Sequence, residues 1–315
     1  MSLLPARRSG QSGNHSEEVQ RRSRPSHKTS VFQTRSPPSL ARLSCVLSCA
    51  TWVLRAPVSP QHPAKLVTFN LDSPRAIASL IDHTLLKPEA AEPDIARVCE
   101  EARRFGFASV CINPCWVPFA ADTLAGAQSK VCTVIGFPLG ANETAAKLCE
   151  AELALSHGAK ELDMVQNVGA LRSGQFDSVR DEIAELAKLC HSRGAILKVI
   201  LETCLLTADE KIAACRLAAE AGADFVKTST GFSTSGASVA DVKLMRETVG
   251  QAIGVKASGG IRTLEILREM VAAGATRIGT SSGVSILTGF SATEGVKAPA
   301  PLHAAHVPGG DPDAY

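Results

Sequence analysis

The chain has 315 residues, of which 45% are hydrophobic, 4% aromatic and 20% charged, and its formal net charge at pH 7 is +2. That apolar content supports a substantial core, and no uninterrupted apolar run approaches the roughly 18 residues that span a bilayer. A small net charge and few aromatic rings provide neither an electrostatic attraction for nucleic acid nor platforms for base stacking. The composition predicts a soluble globular protein that binds neither nucleic acid nor membranes.

Ten cysteines are scattered along the chain without a C-x-x-C pair. A chain of this length does not need disulfide bonds for stability, so we expect reduced thiols and a cytoplasmic location. Cys111 and Cys115 have a C-x-x-x-C spacing, but no histidine follows at ligand distance. No metal site is therefore predicted.

The first 66 residues differ in composition from the rest. Residues 1–65 hold ten Arg or Lys against two Glu, with many Ser and Pro and no sustained helix or strand period. This pattern predicts a disordered basic extension over 1–66. An organelle transit peptide is one alternative. A secretory apolar segment at 43–54 is another, although the roughly forty residues that precede it are far too many for a signal peptide. A tail without function, or a true start codon downstream, is favoured.

From about residue 76 short apolar strands alternate with amphipathic helices. The predicted strands are Leu80–Thr84, Ser109–Asn113, Val131–Phe137, Glu161–Val165, Leu197–Glu202, Asp224–Ser229, Gly254–Ser258 and Thr276–Thr280. The predicted helices are Glu92–Phe105, Asn142–Ser156, Asp177–Arg193, Ala208–Ala221, Val239–Val249 and Thr263–Ala273. Asn142, Thr207 and Ser238 are predicted helix N-caps, and glycines such as Gly158 and Gly194 are predicted to end helices.

Eight strand–helix units of roughly 25 residues each predict a single (β/α)8 TIM barrel over residues 67–288. A doubly wound open sheet is the alternative. That fold would normally carry a glycine-rich dinucleotide motif after its first strand, whereas "DHTLLKP" follows here.

Ionisable residues fall at the inward positions of the predicted strands. Asp163, Lys198, Lys227 and Lys256 each lie between apolar neighbours that suit the helix-facing side, which turns the charged side chains into the barrel. Asp82 and Cys111 join them from the first two strands. Buried charges are costly unless they pair or take part in chemistry, so an active site is favoured over a purely structural ion-pair network.

Lys227 is the candidate nucleophile. It lies on a short apolar strand and precedes Thr228, Ser229, Thr230 and Gly231, which are small enough to leave room for a ligand. Lys256 is on the next strand, roughly 4.8 Å away, and its positive charge favours a neutral amine at Lys227. Asp163, held by Lys198, is positioned to relay protons.

Small residues after the last two strands suggest a phosphate site. Backbone amides around Gly259, Gly260 and Gly279, with a short helix that begins after Ser281 and Ser282, would bind a dianion. An ordinary tight turn is the alternative for the Gly-Gly pair. His83 is interpreted as a structural histidine. Residues 289–315 are predicted to be a flexible tail that ends at Tyr315.

Together, the motifs "LIDHTLLKP", "VCINPCWV", "VIGFPLGA", "ELDMVQNVGAL", "LKVILET", "DFVKTSTGF", "VKASGGIRT" and "RIGTSSGV" resemble the 2-deoxyribose-5-phosphate aldolase family over residues 76–288. The resemblance implies a metal-independent, cofactor-free class I aldolase that cleaves 2-deoxy-D-ribose 5-phosphate to D-glyceraldehyde 3-phosphate and acetaldehyde.

The resemblance also implies roles for individual residues. Lys227 corresponds to the Schiff-base lysine, Lys256 to the neighbouring cation and Asp163 to the proton-relay carboxylate. The implied phosphate contacts are Gly231, Gly259, Gly260, Gly279, Ser281 and Ser282. Tyr315 corresponds to a terminal tyrosine that assists proton transfer. Phe232 stands where some members carry a lysine, which would weaken phosphate binding.

Two other functions stay open at this point. One is a Schiff-base aldolase for a different phosphorylated sugar, and the other is a phosphosugar-binding barrel without activity. The intact set of Lys227, Lys256 and Asp163 argues against the second. We expect no macromolecular partner beyond a homodimer or higher homo-oligomer.

Overall fold

The computed structural model describes residues 71–293. Eight parallel strands form a closed barrel in which each strand pairs with its sequence neighbours and β8 pairs with β1. The strands are β1 Ile81–Leu85, β2 Ser109–Ile112, β3 Lys130–Ile135, β4 Glu161–Val165, β5 Ile196–Ile200, β6 Phe225–Lys227, β7 Gly254–Ser258 and β8 Arg277–Thr280. The predicted TIM barrel is confirmed, and the open doubly wound sheet is wrong.

Helices connect the strands and cover the outside of the barrel. They are α1 Pro74–Ala78, α2 Glu92–Phe105, α3 Val117–Thr123, α4 Thr144–Ser156, α5 Val168–Arg172, α6 Phe176–Ser192, α7 Ala208–Glu220, α8 Val239–Val249, α9 Leu264–Ala272 and α10 Gly283–Thr293. Two short 3-10 turns, Pro114–Trp116 and Thr203–Leu205, follow β2 and β5.

Local sequence signals explain most helix starts. The Thr207 side chain accepts a hydrogen bond from the Glu210 amide, and Ser238 caps α8 in the same way. Both predicted caps are confirmed. The predicted Asn142 cap is wrong, because α4 begins at Thr144 after Glu143, which makes no side-chain capping bond.

The main core lies between the barrel and its helices. Val226 and Val255 are fully buried there, as expected for the helix-facing positions beside Lys227 and Lys256. A smaller apolar cluster, Leu86, Cys111, Cys132 and Val134, with Phe137 packed against it, belongs to the opposite face. Strand alternation therefore separates an apolar outer layer from a mixed polar interior.

Several details differ from the sequence prediction. Helices α1, α3 and α5 were not predicted, since they are only five to seven residues long and lack a full amphipathic period. The last helix, α10, continues to Thr293. The flexible tail over 289–315 stays a prediction. Residues 1–66 and Tyr315 lie outside the described residues. Within 71–293, no helix is long and apolar enough to span a membrane.

Candidate active site

Three lysines converge on one carboxylate inside the barrel. The Nζ atoms of Lys227 and Lys256 lie 2.8 and 2.7 Å from Oδ2 of Asp163. Nζ of Lys198 lies 2.8 Å from the other oxygen, Oδ1. All four residues are at most 3% exposed. The predicted inward orientation of these side chains is confirmed.

Strand register produces this convergence. Lys227 is the register partner of Lys256, and Asp163 is the register partner of Lys198. Neighbouring parallel strands are about 4.8 Å apart, so side chains that point to the same face from paired positions meet. The interior is closed by the barrel, and therefore these ionisable groups depend on one another and on neighbouring carboxylates instead of on solvent.

A second layer of charges lies towards the amino ends of the strands. Asp82 pairs with Lys256 at 2.6 Å and with Arg277 at 2.6 Å. Glu161 pairs with Lys198 at 2.6 Å and with Arg277 at 2.9 Å. Asp82 is fully buried in these contacts, so its predicted role in substrate binding stays a prediction.

The two layers determine the charge states of Lys198 and Lys256. Burial would lower the pKa of Lys256, but Asp163 and Asp82 outweigh burial and raise that pKa well above its usual value. The pKa of Lys198 is raised well above its usual value too, because Asp163 and Glu161 outweigh its burial. Lys256 and Lys198 are therefore cations at neutral pH.

The charge state of Asp163 follows from the same contacts. Burial would raise its pKa, but Lys198, Lys227 and Lys256 outweigh burial and hold the pKa well below its usual value. At neutral pH the resting site thus contains an ionised carboxylate held by the cations of Lys198 and Lys256.

Lys227 is the least enclosed of the three lysines. It is 3% exposed, whereas Lys198 and Lys256 are 0% exposed. Among the described residues, Asp163 is its single ion-pair partner, whereas Lys256 pairs with two carboxylates. Lys227 also ends β6 at the carboxyl end of the barrel, where Thr228 begins the loop. It is the amine best placed to meet a ligand.

Two cysteines lie beside the carboxylate. Cys111 and Cys132 are register partners on β2 and β3. The Cys132 thiol donates to Oδ1 of Asp163 at 3.3 Å, and Lys198 lies 3.4 Å from the same sulfur. Hydrogen bonding to Cys132 lowers the pKa of the Cys111 thiol. Cys111 therefore contacts the charged cluster through Cys132, and its predicted substrate contact stays untested.

Potential metal ligands come close together in this interior. Cys111, Cys132 and Asp163 form one set within the described residues, and Asp82, Cys132 and Glu161 form another. Every carboxylate in these sets is already ion-paired with Lys or Arg at 2.6 to 2.9 Å. A cation would have to displace those ammonium or guanidinium groups, so these sets fit an ion-pair network better than a metal centre.

The rim above the cluster is built from small residues. Gly231, Gly259 and Gly260 have φ values of 87°, 91° and 78°, the left-handed region that glycine adopts without strain. A Cβ on Gly259 would lie 3.7 Å from the Cα of Gly231, so the turns after β6 and β7 adjoin. Gly279 lies against the charged cluster, because a Cβ there would approach Cε of Lys256 to 3.0 Å.

Ser281 and Ser282 immediately precede α10. The Ser282 amide donates to Thr280 Oγ1 at 2.9 Å, and its carbonyl accepts from the Ile286 amide at 2.9 Å. The helix start therefore faces the same end of the barrel as Lys227, since it directly follows β8.

Comparison with known proteins agrees with this geometry. Residues 76–289 match the family model described as "DeoC/LacD family aldolase". The chain belongs to the DeoC/LacD aldolase family.

The matched part of the chain covers nearly the whole length of its relatives in this family. A deoxyribose-phosphate aldolase from Geobacillus sp. is 57% identical over 216 residues, which are 69% of this chain and 96% of the relative. A deoxyribose-phosphate aldolase from Caldanaerobacter subterraneus is 58% identical over 212 residues, 67% of this chain and 92% of the relative. The deoxyribose phosphate aldolase structure from Aeropyrum pernix, described as tetrameric, has a TM-score of 0.67 and 39% identity over 71% of this chain and 94% of that one.

Within this aldolase barrel the interpretation of His83 as structural is confirmed. Its Nε2 lies 2.6 Å from Oε2 of Glu101 on α2, and the residue is 2% exposed. Sequence reasoning missed Glu161, Cys132 and Arg277. Glu161 lies two residues before Asp163 and Arg277 two before Gly279, so strand alternation would have identified both as inward residues.

Proposed function

We propose that the chain reversibly cleaves 2-deoxy-D-ribose 5-phosphate to D-glyceraldehyde 3-phosphate and acetaldehyde through a Schiff base on Lys227, in deoxyribose phosphate catabolism. The observation that carries the proposal is the meeting of Lys227 and Lys256 on one oxygen of Asp163 at the carboxyl end of an aldolase-family barrel. Lys227 is the least enclosed of the three lysines, so its amine is the one that can reach a carbonyl and attack it.

The first half of the cycle forms the covalent intermediate. The neutral amine of Lys227 adds to C1 of the open-chain sugar, and loss of water leaves an iminium ion that withdraws electrons from C2. Asp163 accepts the C3 hydroxyl proton through a bound water. The C2–C3 bond then breaks, its electron pair forms the enamine, and glyceraldehyde 3-phosphate leaves.

The second half regenerates the lysine. The enamine carbon takes up a proton, and water then hydrolyses the resulting imine to acetaldehyde and free Lys227. We infer that Tyr315, which lies outside the described residues, assists this protonation. Lys256 and Lys198 hold Asp163 anionic at the start of each turnover, so the carboxylate is available to accept the C3 hydroxyl proton.

Phosphate binding is assigned to the glycine rim. Backbone amides near Gly231, Gly259, Gly260 and Gly279, with Ser281 and Ser282 at the start of α10, form the predicted dianion site. Asp82, Cys111 and Thr228 complete the proposed substrate-binding residues. The buried positions of Asp82 and Cys111 favour an indirect role through Lys256 and Cys132.

Reductive trapping tests the assignment. Incubation with acetaldehyde and borohydride should add a stable two-carbon adduct at Lys227, located by peptide mass spectrometry. An adduct at Lys256 instead, or saturable binding of the sugar phosphate without cleavage, would contradict the proposal. Turnover of deoxyribose 5-phosphate should be compared with that of fructose phosphates, since faster cleavage of the latter would indicate an aldolase for a different sugar.

A cytoplasmic location and a homodimer or higher homo-oligomer complete the proposal. All eight cysteines in the described part of the chain are free thiols, which suits a reducing compartment. The Aeropyrum pernix relative described as tetrameric supports self-association. Light scattering on the purified protein and fractionation of cells measure these two properties directly.

A further inference from the structure

Glu202 has an unusual backbone conformation at the end of β5. Its φ and ψ are 56° and 62°, and it is the one non-glycine residue with positive φ among those described. The residue is also 3% exposed. A non-glycine residue persists in the left-handed region only where its surroundings hold it there, and such residues cluster at functional sites.

A bulge explains this conformation. The Leu201 amide donates to the Lys227 carbonyl at 2.9 Å, and the Thr203 amide donates to the Thr228 carbonyl at 3.0 Å. In a regular parallel ladder, donors two residues apart meet acceptors that are also two residues apart. Here the acceptors, the carbonyls of Lys227 and Thr228, are adjacent in the chain. Glu202 is therefore an extra residue in the segment that continues β5. A bulge of this kind redirects a side chain, here towards the loop that follows Lys227.

The redirected carboxylate holds that loop by its backbone. The Thr230 amide donates to both oxygens of Glu202, at 3.3 and 3.4 Å, and the Thr230 hydroxyl contacts Oε2. The same hydroxyl oxygen accepts from the Phe232 amide at 3.0 Å. Its proton is therefore directed to Glu202, and the carboxylate determines the path of the chain on both sides of Gly231.

Gly231 is where this hydrogen-bonded loop meets the glycine rim. Its Cα adjoins Gly259, whose carbonyl accepts from the Ala237 amide at 3.1 Å and so connects the same loop to the turn after β7. The Cys204 thiol adds a contact further along the loop, 3.3 Å from Oγ of Ser233. The position of Gly231 relative to Gly259 therefore depends on a residue that does not itself belong to the rim.

We propose that Glu202 is a positioning residue for the phosphate end of the substrate. It holds the Gly231 segment in the conformation that completes the dianion site, while Lys227, on the other side of Thr228, is held separately by Asp163. The inference rests on the proposed function and deepens it, since it names what shapes the phosphate site. Removing the carboxylate should weaken phosphate binding more than it affects the chemistry at Lys227.

The test compares Glu202→Gln with wild type on 2-deoxyribose 5-phosphate and on unphosphorylated 2-deoxyribose. A glutamine retains the size of the side chain but presents an NH2 group to one of the Thr230 donors. We expect KM for the phosphorylated sugar to rise about tenfold, with kcat changed less than about threefold and kcat/KM for the unphosphorylated sugar unchanged. Glu101→Gln, at a carboxylate that pairs with His83, is the matched control. It should leave KM and kcat for the phosphorylated sugar and kcat/KM for the unphosphorylated sugar at their wild-type values.

Glu202→Gly is the second variant, because glycine adopts the left-handed conformation without strain. It separates the loss of the carboxylate from a folding defect. Thermal unfolding with and without inorganic phosphate should show stabilisation of the wild type and of Glu101→Gln, and much less of both Glu202 variants. A folded Glu202 variant that retains the wild-type phosphate effect and the wild-type preference for the phosphorylated sugar overturns this inference alone. A wild type that does not cleave deoxyribose 5-phosphate overturns the proposed function instead.

Discussion

Lys227 and Lys256 are register partners on adjacent parallel strands, and their ammonium nitrogens contact the same oxygen of Asp163. The sequence predicted that the charge of Lys256 would act on Lys227 directly. The structure adds a carboxylate between them and a second one, Asp82, beside Lys256. When the Lys227 amine becomes an iminium in the proposed reaction, the new positive charge forms beside Asp163, which lies 2.8 Å from the same nitrogen and can pair with it. Under the proposed mechanism, the covalent intermediate therefore keeps its buried charge paired.

Lys227→Leu should abolish turnover and borohydride trapping but leave the fold intact. Asp163 would retain Lys198 and Lys256 at 2.8 and 2.7 Å, so no carboxylate becomes unpaired. The free energy of unfolding should fall by less than about 2 kcal/mol. Urea unfolding followed by circular dichroism measures this change.

Lys256→Leu should be more destabilising than Lys227→Leu. Lys256 pairs with both Asp82 and Asp163, and its loss removes a partner from two buried carboxylates at once. We expect a decrease of about 3–5 kcal/mol in the free energy of unfolding, together with slower trapping by acetaldehyde. Equal stability of the two variants in the same urea titration would show that the second layer of charges does not depend on Lys256.

Much of the fold could be predicted from the sequence, because a βα repeat presents two clear periods. β4 and β7 have the predicted bounds, as do α2 and α8. β6 is shorter than predicted, since it ends at Lys227 where the ligand-facing loop begins. The short helices escaped prediction because five to seven residues do not complete two helical turns.

The site was predictable where it depends on strand alternation and not where it depends on loop geometry. Asp163, Lys227 and Lys256 were placed correctly in the interior by their apolar neighbours. Glu202 carries no comparable signal, since glutamate does not favour the left-handed conformation that the structure requires. Its function depends on a hydrogen bond to Thr230 that appears only once β5 and β6 are paired.

Asp82→Asn should reduce stability most at neutral pH. Burial would raise the pKa of Asp82, but Lys256, Arg277 and Lys198 outweigh burial and hold it below its usual value. Such a group contributes stability that is complete above the unfolded pKa of about 3.9 and is lost as pH falls from there towards the folded value. The difference in unfolding free energy between wild type and variant should therefore be largest near pH 7 and shrink below about pH 4.

Urea unfolding between pH 3 and pH 7 measures this difference. Asp177→Asn, at an exposed carboxylate that pairs with Arg180, is the control and should differ little from wild type at any pH. If the difference in unfolding free energy between Asp82→Asn and wild type stayed constant from pH 3 to pH 7, the charge of Asp82 would contribute nothing to stability.

Gly279→Ala should lower both stability and turnover. A Cβ at this position would clash with Oγ of Ser258 and lie 3.0 Å from Cε of Lys256, so the serine must move and the lysine is crowded within a closed barrel. Overpacking of this kind typically costs about 1–3 kcal/mol. Gly289→Ala is the control, because a Cβ there meets no atom within 4 Å in the described part and alanine favours a helix. The melting temperature should fall in Gly279→Ala and rise in Gly289→Ala. Equal decreases in the two variants would contradict the close packing around Gly279.

Phe232→Lys should strengthen phosphate binding. Phe232 is 44% exposed, and its ring packs edge-on against Phe137 with the centroids 5.2 Å apart. A lysine here would add a cation next to Gly231, at the position where the family resemblance allows one, at the loss of an aromatic pair worth about 0.5–1.5 kcal/mol. We expect KM for deoxyribose 5-phosphate to fall several-fold and to rise more steeply with salt concentration than in wild type, since added charge is screened by ions. Phe232→Leu removes the ring without adding charge and should show neither change. If both variants lower KM alike, the ring itself obstructs the phosphate, and the charge is not what matters at this position.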